Sequence, residues 1–355
     1  MRVLSIGAMY PPHALGGYEV TWRSSTHWLR RTGHEVRVLA SDVRFAEAEG
    51  PEDDDVHREL RWYWRDHAFP PTTFRERLRL ERRNATVLER HLADLRPHAV
   101  MWWAMGGMSL SLVEQVRRVG LPAVAMVGDN WPGYGPRVDA WTATWRRRPR
   151  FAGVAERLTG VPASVDLDRA ATWVFVSAWT RRRARESGGW AFPGALVEPA
   201  GVDLHTFPAS DPPPWSWSLA YIGRIDERKG IATAVEALAG IPESSLRVVG
   251  GGDDAYLVQL RELAARLGVA DRIDFAGSRP REALAGEYAN ADAVLFPVTW
   301  PEPWGMVPLE AMAVGRPVVA TGTGGSGEYL RDGDNALLHR PKDVTGLVAA
   351  LRRLA

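Results

Sequence analysis

Short apolar runs rich in β-branched residues alternate with amphipathic stretches from one end of the chain to the other. That rhythm predicts alternating strands and helices, and hence an α/β protein with parallel sheets. In the first half, apolar runs predict strands over 3–9, 35–40, 99–103, 123–127 and 172–176, and helical spacing predicts helices over 18–31, 75–95 and 109–118. The second half repeats the pattern, with strands over 219–224, 246–250, 272–275, 291–298, 317–320 and 336–339 and helices over 231–239, 255–267, 281–289, 308–314 and 344–354. The densest proline cluster, PASDPPP at 208–214, interrupts this rhythm and predicts an interdomain linker over 208–218, between domains 1–207 and 219–355.

At 355 residues the chain exceeds one ordinary core, which agrees with two domains. A formal net charge of +1 gives no ground for a nucleic-acid partner. The absence of cysteine excludes disulfides, thiolate metal sites and a cysteine nucleophile. The amino end passes directly into a strand and does not resemble a signal peptide, and no apolar run reaches the ~18 residues that span a bilayer. The expected location is cytoplasmic, with membrane association through the first domain as the variant considered below. The acidic triplet Asp53-Asp54-Asp55 lies in the polar stretch 46–58, which predicts a solvated loop rather than a metal site.

The most informative segment is Trp300-Pro-Glu302-Pro-Trp-Gly305-Met306-Val307-Pro308-Leu-Glu310-Ala-Met-Ala. It follows a strand-like run and opens an apolar helix, with proline, a residue favoured at helix starts, at 308. No Ser, Thr, Asp or Asn stands where a side-chain cap is expected, so the amides of Gly305, Met306 and Val307 remain open to an anion such as phosphate. Exposed glutamates on a surface helix are the ordinary alternative. A second segment, Gly223-Arg224-Ile-Asp-Glu-Arg-Lys229-Gly230, also runs from a strand into a helix. Cations at a helix start are mildly unfavourable. In a chain with only two lysines, at 229 and 342, this placement points to a bound diphosphate rather than to two solvated charges.

Glu302-Pro-x-Gly-x-Val-x-x-Glu310-Ala-Met-Ala-x-Gly315-x-Pro317-Val-Val-Ala resembles the signature of the retaining GT-B glycosyltransferases of family 4. The resemblance implies two Rossmann-like, doubly wound domains facing each other across a cleft. It also implies retaining transfer of a sugar from a nucleotide-diphosphate sugar to an acceptor hydroxyl, without an essential metal or cofactor. Arg224 and Lys229 match the family's diphosphate clamp, Glu302 would hold donor sugar hydroxyls, and Glu310 would bind the ribose. Gly16-Gly17 resembles the glycine-pair loop that faces the donor phosphates, although a plain tight turn explains it too. The loop Gly324-Gly325-Ser-Gly-Glu328 resembles the one closing the donor pocket, and the backbone at Ser278 and Arg279 would touch the base.

Many relatives carry His-Asp at the end of a first-domain strand, whereas this chain reads Gly128-Asp129, so that either Asp129 assumes part of the sugar contact or the sugar lies differently. Relatives also usually continue beyond the final helix at 344–354 with helices that cross back to the first lobe, so either a shortened chain or a reduced crossing is expected. Competing readings are a GT-B sugar-nucleotide epimerase and a catalytically weak relative that binds a nucleotide sugar as a partner subunit. Twelve of sixteen tryptophans precede residue 200, and residues 141–200 hold ten arginines against five acids. Core packing explains this as well as an aromatic, basic acceptor face does. Such a face would suit a lipid-linked, glycan or small-molecule acceptor, or shallow membrane contact.

Overall fold

The computed structural model describes all residues except 46, 47, 49, 66 and 67. The chain divides into two compact units, Met1–Pro199 and Ala200–Ala355.

In the first unit the order is β1 (Arg2–Ile6), α1 (Gly17–Arg31), β2 (Glu35–Ser41), β3 (Val56–Leu60), α2 (Phe74–Leu95), β4 (Ala99–Trp102), α3 (Leu110–Arg118) and β5 (Ala123–Val127). There follow α4 (Trp131–Val138), α5 (Ala140–Arg146), α6 (Pro149–Thr159), β6 (Thr172–Phe175), α7 (Ala178–Gly188) and β7 (Leu196–Val197). The seven strands form one parallel sheet in the order β3-β2-β1-β4-β5-β6-β7. Winding changes direction between β1 and β4, and the carboxyl ends of strands beside such a switch are where α/β sheets hold ligands.

Strands end up to three residues inside the expected limits. Ala8, Met9 and Tyr10 are buried past the end of β1, with Tyr10 edge-on to Trp22 of α1, so apolar periodicity recorded burial rather than extension. The tryptophans belong to the core: Trp22, Trp102, Trp103, Trp131, Trp141 and Trp173 are all nearly inaccessible, and Trp64 and Trp145 are half-buried. Of the two readings of this tryptophan-rich, basic region, core packing accounts for these rings, whereas Trp28, 56% exposed, and the arginines at 146–150 lie on the surface.

The expected solvated loop at 46–58, whose residues 46, 47 and 49 fall outside the description, is exposed at Pro51, Glu52, Asp54 and Asp55 and is corrected at Asp53. It ends in the edge strand β3, and Asp53 is held by the Tyr10 hydroxyl at 2.8 Å, His27 Nε2 at 2.6 Å and Arg23 Nη2 at 2.6 Å. Burial pushes the Asp53 carboxyl up, but these donors outweigh it and hold the group below its usual range.

The second unit contains β8 (Ser218–Ile222), α8 (Ile231–Ala239), β9 (Ser245–Val249), α9 (Asp254–Arg266), β10 (Ile273–Gly277), α10 (Arg281–Ala289) and β11 (Ala293–Phe296). It continues with α11 (Met306–Val314), β12 (Val318–Ala320), β13 (Leu337–Leu338) and α12 (Val344–Arg352). Six parallel strands run β10-β9-β8-β11-β12-β13, with the switch between β8 and β11. Apolar side chains on both faces of β8 and β11 bury this pair completely, and all four residues of β11 are inaccessible. The proline cluster packs within this unit. Arg316 donates to Ser210 Oγ at 2.6 Å and to the Asp211 carbonyl at 2.8 Å, while Phe207 lies edge-on to the buried Tyr288.

Candidate functional site

Two loops leave the carboxyl ends of β8 and β11 on either side of the switch, and they carry Arg224, Lys229 and Glu302. After β8 the chain makes a short helical turn, Glu227–Lys229, capped by Asp226, and reaches Gly230 in a left-handed conformation with φ 73°. A Cβ on Gly230 would lie 1.9 Å from the Pro297 carbonyl oxygen, so glycine alone permits this close approach of the two loops. The Thr299 amide donates to the Arg228 carbonyl at 2.8 Å and joins them further. Across the junction Lys229 Nζ donates to Glu302 Oε2 at 2.8 Å, and Trp300 Nε1 donates to the same oxygen at 2.8 Å. Arg228 stacks over the Trp300 ring at 5.0 Å.

Arg224 turns to Asp226, at 2.9 Å. Arg228's hydrogen bonds, with smaller help from Arg224's charge, bring the Asp226 carboxyl down to about 2 despite its partial burial. Arg224 and Lys229 thus flank one loop, each already facing a carboxylate.

Helix α11 begins at Met306, two residues earlier than expected. Pro308 occupies the third helical position, where its missing N–H is not needed. The cap residue Gly305 supplies no side-chain acceptor, so the amides of Met306 and Val307 open the helix uncapped. Glu310, the fifth residue of α11, lies just past the first turn and is buried, with 3% exposure. Tyr288 donates to its Oε2 at 2.7 Å, while Arg281 Nη1 stands 2.9 Å from Oε1, an ion-pair distance without hydrogen-bond alignment.

The Gly324-Gly325 loop reaches the same place, because the Gly325 amide donates to the Glu302 carbonyl at 2.7 Å. Glu328 ends the short turn Gly325–Glu328 and is half-buried. Gly223 closes β8, its amide bonding the Val249 carbonyl at 2.9 Å. Beyond it, Gly250, Gly251, Gly252, Asp253, Arg261 and Phe275 line an open pocket of about 230 Å³ between the loops after β9 and β10. Ser278 and Arg279 are exposed just past Gly277, the last residue of β10 and part of that lining.

In the first unit Gly16, Gly17 and Asp129 gather around Tyr18. Gly16 caps α1, and its amide donates to Glu19 Oε2 at 2.9 Å. Tyr18 donates its hydroxyl to the Met126 carbonyl, and its ring occupies the space beside Gly128, where a Cβ would lie 2.5 Å from it. This explains the departure from the histidine pattern: at 128 the side-chain volume comes from α1. Asp129 accepts from the Trp131 amide at 3.0 Å and the Tyr134 hydroxyl at 2.9 Å. Burial pushes the Asp129 carboxyl up to about 6 against those donors, and burial together with Asp129's charge leaves Glu19 at about 7.

Sequence reasoning missed Trp300, Asp226, Arg228, Arg281 and Tyr288, the residues that hold the named ones. Trp300 and Arg228 stood inside the quoted segments, whereas nothing in sequence spacing links Tyr288 or Arg281 to Glu310. Among the described residues one group has metal-ligand geometry, His57, Glu59 and His91, with ligand atoms within 4.8 Å of one another. It joins β3 to α2 in the first unit. Arg90 already bonds Glu59, and His57 Nε2 is 2.7 Å from Asp55 Oδ1, so an ion-pair network accounts for the cluster.

Residues 208–355 match the family model for glycosyl transferases group 1. The D-inositol 3-phosphate glycosyltransferase of Rhodococcus opacus is 37% identical over 153 residues, 39% of this chain and 34% of that protein. The GDP-mannose-dependent alpha-(1-6)-phosphatidylinositol monomannoside mannosyltransferase of Mycolicibacterium smegmatis is 33% identical over 200 residues, 50% of this chain and 51% of that one. The chain thus spans about a third to a half of the length of these curated relatives. Both are glycosyltransferases; neither is an epimerase or a partner subunit.

Among solved structures, sucrose-phosphate synthase from Thermosynechococcus elongatus superposes with TM-score 0.71 at 22% identity, covering 99% of this chain and 89% of that one. HepE from Anabaena, in complex with UDP-glucose, gives TM-score 0.71 at 19% identity with the same coverage, 99% and 89%. These likenesses show the GT-B type of α/β fold. Within the second unit, which holds Lys229, Glu302 and the uncapped start of α11, residues 208–355 carry the match to glycosyl transferases group 1.

Proposed function

We propose that the protein is a retaining glycosyltransferase that moves a sugar from a nucleotide-diphosphate sugar to an acceptor hydroxyl, with no metal required for the chemistry. The observation that carries this reading is the pairing of Lys229 with Glu302 at the β8/β11 switch, beside a helix whose first amides have no cap. A departing diphosphate needs fixed positive charge where negative charge develops. Lys229, Arg224 and the amides of Gly305, Met306 and Val307 supply it in place of a metal ion. Glu302, released from Lys229 as the diphosphate arrives, takes the hydroxyls of the transferred sugar and faces its developing positive charge. Glu310 takes the ribose hydroxyls, and the pocket beside Ser278 and Arg279 seats the base. A front-face attack, with the leaving phosphate accepting the acceptor's proton, needs no dedicated nucleophile. This fits a pair of acids of which one serves the nucleotide rather than the glycosidic bond.

Asp129 serves as the sugar contact of the first unit, with Gly16 and Gly17 beside it. The relatives named above include one called GDP-mannose-dependent and a structure holding UDP-glucose. The acceptor is a small molecule, a glycan or a lipid-linked hydroxyl.

A thermal-shift series with UDP-, GDP-, ADP- and dTDP-sugars tests the donor class. A ligand at about 100 times its dissociation constant stabilises by about 2.7 kcal/mol, and the matching donor should raise the midpoint accordingly. The purified protein should also hydrolyse that donor slowly, with the anomeric configuration retained by NMR, and Arg224→Ala should abolish the hydrolysis. No shift with any of the four donors, or inversion at the anomeric carbon, would overturn the reading.

A further inference from the structure

Helix α6 in the first unit exposes an apolar stripe. Phe151, Val154 and Leu158 stand at helical spacing on one face and are 62%, 54% and 78% exposed. The adjoining face is anchored. Ala155 is buried, Arg118 bonds Glu156, and Arg82 Nε donates to the Thr159 carbonyl at 3.2 Å. The stripe is therefore held outward by contacts behind it and cannot turn into the core without breaking them.

Arg146, Arg147, Arg148, Arg150 and Arg157 are all exposed on or beside this helix. Between residues 146 and 159 the one acid is Glu156, whose carboxylate is already engaged by Arg118 and by the Ala163 amide. An apolar ridge bordered by unneutralised arginines matches the two components of an anionic bilayer surface, acyl chains and headgroup charge. An acidic protein would satisfy the arginines and leave the ridge in water. A second copy would bring five like charges against five. Among the described residues no helix is long and apolar enough to cross a membrane, so the contact is one of a helix lying in the interface.

We propose that α6 docks the first unit on a membrane containing anionic lipid, through insertion of Phe151, Val154 and Leu158 and headgroup contacts from the surrounding arginines. This goes beyond the donor chemistry and does not depend on it, because the test reads binding alone.

Co-sedimentation of the full chain with phosphatidylcholine vesicles, with and without phosphatidylglycerol, measures the contact. A single arginine near an anionic surface contributes about fivefold to partitioning, so phosphatidylglycerol should raise binding by well over tenfold. The double variant F151D/L158D should lower it by about tenfold or more at every salt concentration, since it removes the inserted groups. The double variant R147E/R150E should lower it strongly in dilute salt and weakly in concentrated salt. All four positions are exposed, so circular dichroism and thermal midpoint should match the wild type. The proposal is overturned if the wild-type protein does not sediment with phosphatidylglycerol vesicles, or if F151D/L158D binds as the wild type does. It is equally overturned if the wild type is a dimer that F151D/L158D dissociates, which would assign the ridge to a second copy.

Discussion

The carboxylates around the candidate donor site in the second unit and one group of buried carboxylates in the first are treated in opposite ways. In the second unit, Glu302 has Lys229, Glu310 has Arg281 and Asp226 has two arginines, although Asp292, away from that site, accepts from Ser216 and Ser218. In the first, Asp53 and Glu114 also meet arginines, but Glu19, Asp129, Glu81 and Asp139 take hydroxyl and amide donors instead. Glu81, wholly inaccessible, accepts from Tyr63 at 2.7 Å and from Ser111, and burial together with the charge of Asp139 drives its proton affinity up. A carboxylate without a cation in a low-dielectric site keeps its proton to higher pH, whereas one beside a cation sheds it early. The second unit thus presents charge ready to meet a charged ligand. The first presents hydrogen-bonding groups whose charge depends on pH.

The sharpest way to break this comparison is to remove a cation from the second unit. Lys229→Ala and Arg224→Ala should each lower kcat/KM for the donor reaction by about 100-fold, equivalent to ~3 kcal/mol, in steady-state assays. A loss of only a few-fold would mean that the paired charges serve the fold rather than the diphosphate.

Next in size is Glu19→Gln. The Glu19 pKa rises from 4.5 to about 7 on folding, so the folded state binds the extra proton. The associated stability is present below pH 4.5 and disappears as pH rises through about 7. Glutamine preserves the link to the Gly16 amide. The variant should match the wild type near pH 4 and exceed it by about 3 kcal/mol near pH 8 in denaturant titrations. A pH-independent difference would show that Glu19 is not held protonated.

Gly128→Ala should cost about 2 kcal/mol in the same assay, because the added methyl meets the Tyr18 ring. Tyr18→Ala should relieve most of that added cost, and independent effects of the two changes would refute the explanation of the missing histidine. The smallest change expected is in Glu310→Ala, with donor affinity falling about tenfold by calorimetry. Unchanged affinity would remove Glu310 from the ribose.

The fold class was legible because both sheets alternate with helices at regular intervals, and α8 and α10 lie where periodicity put them. Less legible was the region after β5. Helix α4 contains Pro132, Gly133, Gly135 and Pro136, a composition that reads as turn and becomes helical because Trp131 is locked into the core. The candidate donor site was legible because its residues lie in two continuous segments, 223–230 and 300–310. Its supports were not, since Tyr288 reaches Glu310 from a different helix across 22 positions. Asp53 misled for a similar reason. Local polarity suggested water, while Tyr10, Arg23 and His27, which hold it, come from distant parts of the chain.

The Lys229–Glu302 contact has a kinetic consequence. A lysine that already holds an anion binds the next one by exchange, so an incoming ligand must dislodge the carboxylate as it docks. Inorganic phosphate offers nothing for the dislodged Glu302 to bond. A nucleotide carrying a sugar offers hydroxyls at that moment, so the displaced group gains new partners. If Lys229 meets the donor diphosphate as proposed, the ion pair acts as a sieve: the resident carboxylate favours ligands that carry both the anion and the sugar over smaller anions.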